Sequence, residues 1–203
     1  FKEGGKHPVA LFRKLLALYD GISKDQLREN MRYFLSAIMP VCNEGDMYMC
    51  VHPDDPPFQV LGLPRIVTCD DDIKWFLNAV NDKHNGLTFC AGSLSAGAQN
   101  NLPELARKYA NRTWFVHLRS CYVFPNGDFT EASHLGGRAN IIELCRIFEQ
   151  EEQQRRDNPH VARLPMRVDH GMTMLGDEDK GYNAGYSFLG RMFAMGQLQG
   201  IIA

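Results

Sequence analysis

An α/β fold built on a parallel sheet is what this sequence predicts, and three observations predict it. Short apolar runs alternate with stretches of helical periodicity. No hairpin signal is read between one run and the next. Each run ends on a residue able to bind a metal or to carry a proton. Strands that alternate with helices imply βα units and a parallel sheet, and in such sheets the chemistry gathers beyond the C-terminal ends of the strands.

The elements follow in order. Ser23 is placed to cap a helix carrying Leu27, Met31, Phe34, Leu35 and Ile38 on one face, which Pro40 is expected to end. Met47 to Val51 reads as the first strand. A second helix, opened by Thr68 or Asp70, stacks Ile73, Phe76, Leu77 and Val80 at helical spacing, and Asn85-Gly86 is expected to close it. The acid-rich "CDDDIKW" is a helix start, where carboxylates meet the positive end of the dipole. "LTFCA" (87–91) is the second strand. Leu102 to Ala110 is a short helix with Pro103 in its first turn. "WFVHL" (114–118) is the third strand. Ile141 to Arg156 is a helix with Ile141, Leu144, Cys145 and Phe148 inward. "LPMRV" (164–168) is the fourth strand, and a last helix follows near Tyr186.

Composition narrows the class. The net charge of −2 and the pI near 6.4 are unlike those of a nucleic-acid binder, and 44% apolar content is unlike a disordered chain. No apolar run reaches the ~18 residues of a membrane span. The six cysteines form no close pair and sit mostly in apolar surroundings, as reduced thiols of a cytoplasmic protein would.

Each strand is then read at its C-terminal end. The first ends in His52, followed by Asp54 and Asp55. The second carries Cys90 and runs into the small-residue loop "AGSLSAG". The third ends in His117, then Arg119 and Ser120. The fourth ends in Asp169-His170-Gly171. Singly, each has a plain reading: a core thiol, a hydrogen-bonded imidazole, a turn-capping carboxylate. Four donors at four equivalent positions point instead to one convergent metal site formed by His52, Cys90, His117 and Asp169. Two imidazoles, a thiolate and a carboxylate suit Zn or Fe, with Mn also open.

"HPDDPP" with "LGLPRI" downstream, "FCAGS", "VHLRS", "FTEASHLGG" and "RVDHG" resemble, in order, the motifs of the mannonate dehydratases. The resemblance runs from about Ser23 to the C-terminus. It implies a xylose-isomerase-like (β/α)8 TIM barrel, of which the four βα units in residues 23–203 correspond to the C-terminal half; residues 1–22 read as a variable insertion. It implies dehydration of D-mannonate, a sugar acid of hexuronate breakdown, to 2-keto-3-deoxy-D-gluconate with Mn2+ or Fe2+. The family's ligands carry over to the same four residues reached from the strand ends. Its catalytic His carries over to His170, and its catalytic Tyr to Tyr186 of "GYNAGYSFLGR" in preference to Tyr182. The chain departs from the family at Val168, where Pro is usual, and after His134.

Other residues keep two readings. Arg119 matches a substrate carboxylate bidentately or forms a structural salt bridge. Glu131 and His134 line the substrate pocket, or are a loop carboxylate and an exposed imidazole. Asp54 and Asp55 shape the loop after His52 rather than bind metal. His170 directly follows a ligand, so the strand must bend at "VDHG", which Gly171 would permit. Half a barrel leaves two open sheet edges, from which self-association is expected. Another sugar isomerase or epimerase on the same barrel, and a non-catalytic metal-binding remnant, are the competing readings.

Overall fold

The structure is a computed structural model that describes residues 8–158, 160–177 and 179–203. Its centre is a four-stranded parallel sheet: β1 (Met49–Val51), β2 (Asn85–Cys90), β3 (Thr113–His117) and β6 (Met166–Arg167), in the order β1-β2-β3-β6. The helices are α1 (Pro8–Ala17), α2 (Lys24–Glu44), α3 (Asp70–Ala79), the short α4 (Ala91–Ser95), α5 (Leu102–Tyr109), α6 (Ile141–Arg156) and α7 (Phe188–Ile202). The core lies between sheet and helices, where Leu87 and Phe89 of β2 meet Ile73 and Phe76 of α3 and Phe148 of α6. No helix among the described residues is long and apolar enough to cross a membrane.

Most of the predicted elements are present. Ser23 caps α2, its hydroxyl accepting the Gln26 N–H at 3.1 Å. Leu35 of the predicted face is fully buried, and Leu27, Met31 and Ile38 pack against the core. Phe34, by contrast, is half exposed. α3 buries Ile73, Phe76 and Leu77, and α6 buries Ile141, Leu144, Cys145 and Phe148.

Four expectations need correction. Pro40 does not end its helix; α2 continues to Glu44. Proline forfeits one ladder bond, and the turn beyond it is held by burial of Cys42 and by Gly45, whose N–H bonds to the Val41 carbonyl at 3.0 Å. Asn85-Gly86 does not close α3 in sequence but opens β2. Asn85 still serves the helix end from the strand, since its side-chain amide donates to the Val80 carbonyl at 2.9 Å. Gly86 is glycine because the Trp114 indole lies over it; a Cβ there would sit 2.1 Å from the ring. The fourth strand shrinks to Met166–Arg167, since Pro165 has no N–H to give the ladder.

The fourth correction is a hairpin. β4 (Cys121–Val123) and β5 (Phe129–Glu131) pair antiparallel outside the main sheet. Its signal was present in "PNGD", where Gly127 takes φ +90° and the Phe124 N–H bonds to the Asp128 carbonyl at 2.8 Å. Two three-residue strands are too short to show an alternating pattern.

Asp72 ties α2 to α3. Its carboxylate is 1% exposed and accepts from Lys24 Nζ at 2.6 Å, Arg28 Nη2 at 2.7 Å and the Thr68 hydroxyl at 2.6 Å. Burial raises its pKa, but these partners outweigh burial and hold it below the ordinary carboxylate range. Asp72→Ala is expected to cost about 3 kcal/mol, because it strands the Thr68 N–H and two cations. A lowered folded pKa contributes stability above the unfolded value near pH 4 and loses it as the pH falls through the folded value. The gap between wild type and variant in urea unfolding should therefore be full at pH 7 and shrink below about pH 4.

Candidate metal centre and proton-transfer residues

The parallel register assembles the site. Val51 pairs with Leu87, so His52 falls beside Thr88, two residues from Cys90 and on the same face. Cys90 pairs directly with His117. One ligand atom from each of His52, Cys90 and His117 lies within 4.8 Å of the other two. The Nδ1–H of His52 donates to the Pro53 carbonyl at 2.7 Å, which leaves Nε2 as the nitrogen that would bind a metal. The Ser93 hydroxyl donates to Cys90 Sγ at 3.2 Å. Both ring nitrogens of His117 are buried with no hydrogen-bond partner. An imidazole left in that state is costly, and a divalent cation bound by the three donors would relieve it; the donor set fits such an ion.

Asp169 flanks the three. Its Oδ2 is 3.6 Å from His117 Nδ1 and 4.0 Å from Cys90 Sγ, and its Oδ1 accepts from Arg167 at 2.6 Å. The expected bend falls on Asp169 itself, at φ +66°, and not on Gly171. Left-handed backbone at a non-glycine residue is strained; here it turns Asp169 and His170 to the same side. Gly171 is glycine for another reason: a Cβ would lie 2.4 Å from the Arg191 backbone nitrogen at the start of α7.

The loops after the strands are cross-linked. Asp54 Oδ2 accepts the N–H groups of Ile66 and Val67, both at 2.8 Å, and so folds the loop after β1 back on itself. Arg119, 5% exposed, donates to Asp55 at 2.6 Å on one side and to Glu131 at 2.7–3.1 Å on the other. Gly92 makes room for it, since a Cβ there would meet the Arg119 side chain at 2.3 Å. Glu131 Oε1 also accepts from His170 Nδ1 at 2.7 Å. Burial raises the Glu131 pKa, but the bonds from His170 and Arg119 outweigh it and hold the carboxyl below its usual range. The His170 ring packs against Tyr186 with centroids 4.9 Å apart. Tyr182 and Tyr186 are both partly exposed. His134 is buried and not exposed; its Nε2 bonds the Val168 carbonyl at 2.8 Å, bracing the chain just before Asp169. The sequence did not place Asp55, Glu131 or Gly92 beside Arg119. A glycine two residues after a strand-end cysteine was the available signal for Gly92.

A parallel α/β sheet with two imidazoles and a thiol gathered at its strand ends defines a candidate metalloprotein with proton-carrying side chains beside the metal position. The chain belongs to the D-mannonate dehydratase (UxuA) family, whose model matches residues 4–203. It is 41% identical over 196 residues to a mannonate dehydratase of Marinomonas sp. (strain MWYL1), covering 96% of this chain and 50% of that protein. It is 39% identical over 188 residues to mannonate dehydratase 2 of Agrobacterium fabrum, covering 93% and 47%. The crystal structure of mannonate dehydratase from Streptococcus suis serotype 2 superposes with a TM-score of 0.80 at 29% identity, over 90% of this chain and 50% of that one. The chain thus spans about half the length of the curated relatives it matches.

Cys90 differs from the other buried cysteines in facing His52 and His117. Burial pushes the Cys121 and Cys145 thiols up to about 11, so both stay protonated at neutral pH. Cys90→Ala is expected to lower affinity for Mn2+ or Co2+ at least about tenfold, whereas Cys145→Ala should leave it unchanged. Equilibrium dialysis with metal analysis measures both.

Proposed function

We propose that this chain carries the metal-binding and proton-transfer residues of a mannonate dehydratase, which removes water from D-mannonate to give 2-keto-3-deoxy-D-gluconate. The observation that carries the reading is the His52–Cys90–His117 cluster with His170 and Tyr186 in contact beside it, in a chain of the D-mannonate dehydratase family. The finer fold belongs to the same proposal: the four parallel strands are the C-terminal βα units of a xylose-isomerase-like (β/α)8 barrel. Their order in the sheet, which follows their order in the chain, supports it.

Asp169 joins the three donors as fourth ligand in this reading, and the ion is Mn2+ or Fe2+. A divalent ion held there supplies Lewis acidity beside the substrate carboxylate. The chain's own residues move the protons. Of His170 and Tyr186, one takes the proton from C2 and the other gives a proton to the C3 hydroxyl. The C3–O bond breaks, water leaves, and the C2–C3 enol becomes the 2-keto acid as the C2 hydroxyl proton passes to C3. Arg119 and Glu131 border the substrate, Arg119 as a fixed positive charge held by Asp55 and Glu131, and His134 acts at one remove through the backbone that presents Asp169.

The test uses the protein as expressed from its own gene, loaded with Mn2+ or Fe2+ and supplied with D-mannonate. His170→Asn is expected to keep the metal and lose on the order of 10²–10⁴-fold in kcat, because it removes a proton carrier and spares the ligands. Tyr186→Phe should lower kcat with metal retained, and Tyr182→Phe should be mild. Near-normal turnover in His170→Asn removes that residue from the mechanism.

The same reading places the protein in the cytoplasm, in keeping with six free cysteines, and makes it a homo-oligomer. Support for association comes from exposed apolar side chains along α7, including Phe188, Met192 and Phe193. Sedimentation of the 203-residue chain is expected to show dimers or larger species, and a sharp monomer peak would count against self-association.

A further inference from the structure

We propose that Glu131 is a positioning residue for His170, holding the imidazole in the tautomer that keeps its proton on Nδ1 and turns a bare Nε2 toward the strand-end site. The inference rests on the dehydratase reading for its catalytic meaning and on geometry alone for its structural part. An ionised carboxylate accepts hydrogen bonds and cannot donate them, so at 2.7 Å from Glu131 Oε1 the His170 Nδ1 must be the donor. In a neutral imidazole Nε2 is then unprotonated, and it lies 4.0 Å from Asp169 Oδ2, on the side of the metal donors.

Glu131 is itself immobilised. It ends β5, opposite Cys121 in the hairpin, and Arg119 bonds to both of its oxygens from a buried position. Arg119 is anchored in turn by Asp55 from the loop after β1. The His170 ring is packed as well: Tyr186 lies against it, and Gly185 leaves room beside Nδ1, where a Cβ would come within 3.1 Å. A carboxylate that only neutralised Arg119 would not need an oxygen aligned on the imidazole. The arrangement repeats the logic by which a carboxylate sets the tautomer of a catalytic histidine in hydrolases.

The test reads the tautomer directly, from the ¹⁵N shifts of the His170 ring in zinc-loaded protein at pH 8. The wild type should show a protonated Nδ1 and a bare Nε2; a bare Nδ1 there overturns the proposal without any variant. Glu131→Gln leaves one acceptor oxygen for His170 Nδ1 and for Nε and Nη2 of Arg119, so the hold on the Nδ1 proton is weakened and the tautomer should shift to a proton on Nε2. In the same variant kcat should fall on the order of 10²–10⁴-fold with metal content little changed. Asp55→Asn disturbs Arg119 alone and should leave the tautomer as in wild type; an equal reversal there assigns the effect to the network and overturns the specific role of Glu131. A protein inert toward D-mannonate whose tautomer still reverses in Glu131→Gln supports the positioning and defeats the dehydratase reading. An unchanged tautomer with wild-type kcat in a folded Glu131→Gln defeats the positioning and leaves that reading standing.

Discussion

The parallel register of β1, β2 and β3 is the constraint on which the rest of this molecule depends. A one-residue slip would turn Cys90 out of the site and Phe89 into it, exchanging a donor for a core ring. The register is held by packing on the opposite face, where Leu87 and Phe89 sit in the core against α3 and α6. The core therefore does more than stabilise. By fixing which side of β2 is buried under helices, it fixes which side presents Thr88 and Cys90 to the neighbouring strands.

The second layer of organisation lies above the strand ends, in loops that would be mobile if each stood alone. Arg119 joins the loop after β1 to the hairpin after β3, and Glu131 joins that hairpin to His170 after β6. A surface salt bridge contributes little, but this guanidinium is buried and bonded on both sides, so losing either carboxylate would leave a charge poorly paired out of water. The hairpin looks like an ornament on the sheet, yet it delivers Glu131 to the imidazole. His134, bonded to the Val168 carbonyl, braces the same stretch of chain from behind.

Backbone strain reaches the strand-end site at one residue. Asp169 holds left-handed backbone, and Arg167 bonds one of its oxygens while the other faces His117 and Cys90. A regular strand would have sent Asp169 and His170 to opposite faces. The bend lets two consecutive residues face one site, a carboxylate beside His117 and Cys90 and a ring against Tyr186.

By itself the sequence determined the layer architecture and the strand-end donors. Helical periodicity from Ser23 to Pro40, after Asp70 and over 141–156, and the apolar runs between, are local properties that survive in the fold because local and tertiary preferences agree. His52, Cys90 and His117 were legible because a parallel sheet brings successive strand ends together whatever the details of the loops. Only the tertiary structure decided the rest. Pro40 passes through a helix because burial on either side of it outweighs one lost bond. Asn85-Gly86 starts a strand because Trp114, distant in sequence, needs the space above Gly86. Arg119 is committed to Asp55 and Glu131 because these partners lie 64 and 12 residues away in the chain. No periodicity or spacing rule records such partners, since they meet only when the loops close over the sheet.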